Sequence, residues 1–480
     1  MKLIKTRLTQ NVKDSLLFSF GNYIFQFSSV ITNIVVNNIL GVAMAGAISY
    51  INAIDRNIDL LYSPIRAALE RELPRLRNKN TLEAKIFAES SFLFSYVLIL
   101  LGSIIYLFIY LSAENEYIKY AALFFIFLNV FKALSALLRI YHKSLFNFKY
   151  ISLTLLIIAV IQPLVVIPLV YIYDYNGFFI GRIFIFIITF LILIKLLTYV
   201  PKIKFNIEFK ILKHIYIIGF PLVLYSIISI LVITIDKFFI EEYLSLEELG
   251  FYSVGTMTFN VLLLLPSSIY GTYYPKFMAK EGDQQKNILI ITKIVKTIMI
   301  PFIAVSWILI DPMLNIVLPE FILGSKAAKI LFIAFYFSGT YQMYYMELIR
   351  KRKLMKVNLY SGIVVMVSIP AFWLATNYGD NIEWVALTTT SIFFLLSCIN
   401  TGLSQKEMEI NGLLRIKTLI WNIVYLFPLI PMFILDFYYD YPYSLSLECI
   451  KFGLFIILFS PFIFKILKDK EIKNIMFSKS

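Results

Sequence analysis

Arg56 and Asp59 lie three residues apart in a stretch that is otherwise apolar or polar, with Asp55 beside them. Ser49, Asn52, Arg56, Asp59 and Ser63 recur at spacings of three and four, so they share one face of a helix. A charge at mid-bilayer costs ~2.5–3.5 kcal/mol on insertion scales, so Arg56 must face protein or a wet cavity. Two chemistries fit. Asp59, one turn further on, is a natural partner, and the pair then only holds its helix in place. Alternatively, Arg56 is a cavity cation that meets an anionic substrate. Lys132, which follows Asn129 and precedes Arg139, is too deep to be a loop charge; it either faces the cavity or lets its long stem snorkel. Arg182 begins another apolar run and is expected to snorkel to headgroups.

Neutral polar residues form stripes of their own. Asn22, Gln26, Ser29, Asn33 and Asn37 keep helical spacing, as do Ser253, Thr256, Asn260 and Ser267. Such groups either line a wet path or glue helices together. Ile235-Asp236-Lys237 sets opposite charges side by side, as a gate or as a simple helix end. Tyr225, Ser229 and Asp236 share roughly one face. The Tyr336–Tyr345 stretch with Gln342 reads as aromatic packing before it reads as a sugar-lined wall. Cys398 and Cys449 have no CxxC or His partner at metal spacing, and His142 and His214 are far apart, so no metal and no required disulfide are expected.

The elements that carry these residues must cross a membrane. Of 480 residues, 60% are hydrophobic and 15% charged, with 44 Phe and 32 Tyr. Soluble domains average ~25% charged. A cytosolic enzyme, a secreted disulfide scaffold and a disordered regulator are excluded. The net charge of +14 sits in short clusters between apolar runs, which argues against nucleic acid. The stretch from Ser15 to Ile54 is free of Asp, Glu, Lys and Arg. At ~1.5 Å per residue it is about twice as long as a ~30 Å hydrocarbon core, so it must turn, and Asn37-Asn38 with Gly41 is the expected turn. Fourteen helices are predicted, over residues 15–37, 43–66, 90–111, 118–140, 150–172, 177–197, 213–237, 249–274, 291–311, 327–347, 357–376, 383–404, 416–435 and 447–466. Pro312 is expected to break the ninth.

Alternate loops hold most of the 44 Lys and Arg, whereas the opposite loops hold only Lys119, Lys326, Lys329 and Lys451. That pattern predicts both termini on the cytoplasmic side. The first apolar run is too long and too rich in amides for a cleaved signal peptide. No Walker-type phosphate loop is present. The short acidic loops argue against a membrane glycosyltransferase or polymerase, which leaves a chain that is not expected to be an enzyme.

Helices one and two resemble helices seven and eight. Gly21 aligns with Gly219 at an offset of 198. At an offset of 204, Gly46-Ala47-Ile48-Ser49 meets Gly250-Phe251-Tyr252-Ser253, Ser63 and Ile65 meet Ser267 and Ile269, and Leu73-Pro74-Arg75 echoes Tyr274-Pro275-Lys276. A six-helix repeat is even, so both copies run the same way through the bilayer, as two lobes around a cavity. The expected architecture is all-α and integral to the membrane. Residues 1–200 form the first lobe, 201–405 the second, and 406–480 an additional helix pair with a tail.

The runs Gly219-Phe220-Pro221-Leu222, Ile235-Asp236-Lys237-Phe238-Phe239-Ile240, Leu249-Gly250-Phe251-Tyr252-Ser253 and Tyr274-Pro275-Lys276 resemble polysaccharide flippases. These belong to the multidrug/oligosaccharidyl-lipid/polysaccharide exporter superfamily, and the O-antigen and capsule-type members are nearest in character. The resemblance implies two six-helix lobes in a bacterial cytoplasmic membrane. It implies transfer of undecaprenyl-diphosphate-linked oligosaccharide to the outer leaflet by alternating access, with helices thirteen and fourteen beside the lipid tail. Relatives that flip lipid II carry cavity arginines on helices one, two and eight, of which Arg56 alone has a counterpart here. Arg56 and Lys132 are the expected diphosphate contacts, and Asn22, Gln26, Asn33 and Asn260 the contacts to sugar or water. Asp55, Asp59, Asp236 and Lys237 are candidates for gating or coupling. No cofactor is expected, and a monovalent cation gradient or the membrane potential would supply the drive. The expected partners are lipid-linked oligosaccharide, membrane lipids and polysaccharide polymerase machinery. A cation-coupled multidrug exporter of the same superfamily is the rival reading.

Overall fold

The computed structural model describes residues 2–197, 199, 201, 209–267, 269–270, 285–351, 353–379, 381–438 and 444–468. Among these the chain is helical, and each of the fourteen expected crossings has a counterpart. In order the helices are α1 (Lys2–Leu40), α2 (Val42–Asp59), α3 (Ser63–Lys79), α4 (Thr81–Ser112), α5 (Glu116–Ser144), α6 (Phe148–Lys195), α7 (Phe209–Val232), α8 (Ile235–Tyr243) and α9 (Leu246–Leu262). They continue as α10 (Gln285–Val317), α11 (Ser325–Arg350), α12 (Leu354–Gly379), α13 (Ile382–Glu407), α14 (Gly412–Val424), α15 (Ile430–Tyr438) and α16 (Leu445–Lys468). Ten helical stretches of the described residues are long and apolar enough to span a bilayer on those criteria alone.

Helix count and crossing count differ for local reasons. Gly41, with φ 76°, separates α1 from α2 where the turn was expected, and its N–H donates to Asn37 O at 3.0 Å. That φ suits a residue without a side chain. Helix α6 runs 48 residues, about 70 Å at ~1.5 Å per residue, too long for one crossing. Asp174 (φ 48°, ψ −129°) breaks it into the expected fifth and sixth spans. The predicted second span divides at Leu60–Tyr62, where Ser63-Pro64 starts α3, since proline suits a first helical turn. Pro312 does not end its helix: α10 continues to Val317. Helices α4, α5 and α13 begin on Asn80, Asn115 and Asn381, whose side chains accept backbone N–H groups of the first turn at 2.9–3.1 Å. Each is followed by a Glu in that turn, which favours the positive end of the helix.

Contacts divide the chain into two compact units, Met1–Glu241 with Ser245–Gly250, and Glu242–Leu244 with Phe251–Ser480. In the first, α1 packs along α6, α5 lies between α4 and α6, and α7 lies against α3. Tyr106, Phe125, Phe178 and Phe179 fill its core, with Phe124 stacked on Phe179 at 5.5 Å. On α4, Leu100, Ile104, Phe108 and Leu111 form an exposed apolar stripe, whereas Ile99, Ser103 and Tyr106 face inward. Apolar outside and polar inside is the arrangement a lipid solvent imposes. In the second unit α13 packs on α11 and α12, α10 on α11, and α16 on α10 and α15.

The pair Gly46 and Gly250, matched in sequence at an offset of 204, meets in space. A side chain on Gly46 would strike Leu246 O, and one on Gly250 would strike Val42 O. Each glycine thus abuts the carbonyl four residues before the other, a reciprocal contact between α2 and the first turns of α9. Gly21 and Gly219 do not repeat this: Gly21 faces Ser152 and Gly219 faces Pro64. Tyr274-Pro275-Lys276 lies outside the described residues.

Candidate functional site

The site grows from the end of α2. Asp59 is the last residue of that helix, and the turn at Leu60–Tyr62 sends the chain into α3 one short step away. Arg66, on the first turns of α3, therefore folds back on Asp59. Its Nη2 donates to the Asp59 carboxylate at 2.5 Å, to Asp59 O at 3.0 Å and to Ser63 Oγ at 3.1 Å. The expected Arg56–Asp59 pair does not form. A guanidinium that reaches both carboxylate and carbonyl outcompetes one placed a turn earlier on the same helix.

Asp55 is buried one turn before Asp59 and accepts from two elements. Tyr106 of α4 donates its hydroxyl at 2.9 Å, and Lys132 of α5 forms an ion pair with the other carboxylate oxygen. Lys132 thus points inward and does not snorkel. Asn129, one turn earlier on α5, accepts from the Tyr62 hydroxyl at 2.9 Å and donates to Ile99 O and Ser103 Oγ, both at 3.2 Å. It is a fully engaged structural amide.

Arg56 is half-buried and has no hydrogen bond or ion pair among the described residues. Asp55 and Asp236 act on its charge through space only. Arg139 is likewise half-buried without a hydrogen bond or ion pair among the described residues, near Arg66 and Asp59. Arg182 does not snorkel outward. Its guanidinium donates to Asn52 Oδ1 at 2.9 Å and lies over the Phe178 ring at 5.3 Å, so a cation–π contact and an amide hold it inside. Asp236 and Lys237 are both buried at the start of α8. Lys237 Nζ donates to Ile233 O at 2.8 Å and stands 3.6 Å from Asp236 Oδ1. Around α2, six bases (Arg56, Arg66, Lys132, Arg139, Arg182, Lys237) thus accompany three acids (Asp55, Asp59, Asp236). Among the described residues this set holds more bases than acids, and two of its guanidinium groups, those of Arg56 and Arg139, make no hydrogen bond or ion pair. It suits an anion with several oxygens.

The amide stripe of α1 behaves differently. Asn22 is exposed, Gln26 and Asn33 are half-buried, and none makes a side-chain hydrogen bond among the described residues. Of that stripe, among the described residues, Ser29 reaches a neighbouring side chain, Gln162 Oε1 at 3.3 Å. Asn260 belongs to the second unit and donates to Thr256 O of its own helix at 2.7 Å. The structure thus gathers Asp55, Arg56, Asp59, Lys132, Asp236 and Lys237 around α2. Arg66 was missed because it falls in a basic stretch that reads as a loop. The Ser63-Pro64 helix start just before it was the available signal. The side chain of Tyr225 lies outside the described residues.

The polysaccharide biosynthesis protein family matches residues 86–325 of the chain. No curated protein matches it by sequence. Among solved structures, the chain is similar to lipid II flippase MurJ in an inward closed conformation, with TM-score 0.69 and 16% identity over 93% of this chain and 98% of that one. It is also similar to the eukaryotic MATE transporter AtDTX14, with TM-score 0.60 and 13% identity over 86% and 99% of the two chains. An inward-facing multidrug resistance MATE family transporter of the MOP superfamily matches with TM-score 0.58 and 12% identity, over 80% of this chain and 94% of that one. At these identities the likeness is one of fold.

Proposed function

The chain belongs to the polysaccharide biosynthesis protein family, and we propose that it is a flippase for undecaprenyl-diphosphate-linked oligosaccharide. In this reading it moves its substrate from the cytoplasmic to the outer leaflet of a bacterial inner membrane by alternating access. The observation that carries the reading is Arg56, an arginine within a membrane-crossing segment whose guanidinium has no partner among the described residues. A diphosphate and a sugar chain cannot enter ~30 Å of hydrocarbon unaided, because each unsatisfied polar group there costs several kcal/mol. Arg56 offers the diphosphate a planar fork of donors. Arg66 and Lys132, although paired, add to the positive field around α2. The unengaged amides Asn22, Gln26 and Asn33 exchange hydrogen bonds with sugar or water, and the prenyl chain stays in lipid.

The multidrug-exporter reading needs a carboxylate among the candidates on α2 that is free to take a coupling cation. Asp55 already holds Lys132 and Tyr106, and Asp59 holds Arg66, which favours the anionic-substrate reading. The test is complementation of surface-polysaccharide export with Arg56→Ala and Arg56→Lys at matched protein levels. Loss of a charge-assisted contact worth ~1.5–3 kcal/mol predicts a roughly ten- to hundredfold lower export rate for Arg56→Ala. Arg56→Lys falls between. Full export by Arg56→Ala removes this residue from the mechanism.

A further inference from the structure

A second cluster of charged side chains lies in the second unit, where α10 ends and α11 begins. Lys329 of α11 donates to Asp311 of α10 at 2.6 Å and to Asp436 of α15 at 3.0 Å. Lys451 of α16 pairs with Asp436 and, at 2.6 Å, with Glu448 Oε1 of its own helix. Trp307 Nε1 donates to Asp436 Oδ2 at 2.5 Å, and Ser325 Oγ donates to Asp311. Lys329, Glu448 and Lys451 are buried, Lys451 to 1% exposure. Lys329 and Lys451, expected in loops, are instead folded into the protein by this network.

Two features of the cluster do not balance. Among the described residues, three carboxyl groups face two ammonium groups, so that set, fully ionised, carries one excess negative charge in a low-dielectric setting. Asp436 and Asp311 each accept two or more donors, but Glu448 Oε2 is buried with no hydrogen-bond partner. An oxygen from each of the three carboxyls lies within 4.8 Å of the others. A bare carboxylate oxygen held there without a donor is costly.

We propose that Glu448 is a proton-binding site and carries its proton as a neutral acid at neutral pH. One O–H bond at Oε2 removes the charge excess and neutralises the carboxylate oxygen that has no hydrogen-bond partner. The two ammonium groups already lie between the carboxylates, so a metal cation placed there would sit against them; a proton needs no added volume. Asp311, Lys329, Asp436, Glu448 and Lys451 all lie within six residues of a helix end, which is ~9 Å at ~1.5 Å per residue. The proton therefore comes from, and returns to, the aqueous phase at that face. Its loss leaves three carboxylates against two ammoniums and weakens the hold of α15 and α16 on α10 and α11. The inference does not depend on the transported substrate.

The test uses the purified full chain in lipid nanodiscs. Infrared spectra at neutral pH read the deuterium-sensitive C=O band of protonated carboxyl groups, and thermal melting is measured alongside. Glu448→Gln, a neutral mimic, is expected to melt with the wild type and to lose one protonated-carboxyl band. Asp436→Asn, which removes an ionised partner of two lysines, is expected to melt lower. Identical bands in wild type and Glu448→Gln overturn the proposal, as does a Glu448→Gln protein that melts far lower or does not accumulate. Stabilisation by sodium, and not by potassium, that Glu448→Gln abolishes also overturns it by making the occupant a metal cation.

Discussion

Asp55 joins three helices through one carboxylate, with Tyr106 of α4 on one oxygen and Lys132 of α5 on the other. Removing its charge leaves Lys132 as an inward-facing cation without its partner. Breaking a buried pair costs ~3–5 kcal/mol; Lys132 keeps some exposure, so Asp55→Asn is expected near the low end, ~3 kcal/mol. Lower detergent thermal stability, partly restored in Asp55→Asn/Lys132→Met, would bear this out. An unchanged melt for the single variant would show that the pair adds nothing to stability. Arg139 makes a different prediction. It makes no hydrogen bond or ion pair among the described residues, so Arg139→Ala should lower melting less than Asp55→Asn does. In the flippase reading it should lower export by weakening the positive field near Asp59.

Helix α2 and the start of α9 meet through Gly46 and Gly250, each against a backbone carbonyl of the other helix. A backbone carbonyl cannot swing aside as a side chain can. Gly46→Ala and Gly250→Ala should therefore each force the helices apart, with an overpacking cost of ~1–3 kcal/mol. Melting of both variants checks this, and wild-type stability in either would mean the helices have room to separate. This contact was partly legible in the sequence, because the offset of 204 paired the two glycines without saying that they touch. The crossings were legible for a stronger reason: hydrocarbon thickness fixes their length, and charge-free runs mark them. The turn at Gly41 followed from the same length argument. The division at Leu60–Tyr62 was harder to read, because Ser63-Pro64 sits inside an apolar run and starts a helix as readily as it bends one. Charge partners were the least legible. Arg66 looked like a loop base, and Lys329 and Lys451 looked like loop-end bases. Which acid a lysine meets depends on helices far apart in sequence, as with Lys329 of α11 and Asp436 of α15.

For the whole molecule, membership of the polysaccharide biosynthesis protein family and a fold like that of flippase and MATE structures support the proposed reading, in which the bases around α2 would receive a diphosphate headgroup. Charge asymmetry between loops predicts that the basic segments face the cytoplasm. Single cysteines in residues 66–85 and in the Asp174 turn should label from opposite sides of sealed vesicles, and labelling from one side would contradict the topology. The account is tested most directly by translocation in proteoliposomes. The wild-type protein should move a prenyl-diphosphate-linked oligosaccharide between leaflets faster than empty vesicles do. Arg56→Ala should slow that rate roughly ten- to hundredfold, the equivalent of ~1.5–3 kcal/mol. Wild-type vesicles no faster than empty ones, or an Arg56→Ala protein as fast as wild type, would contradict it.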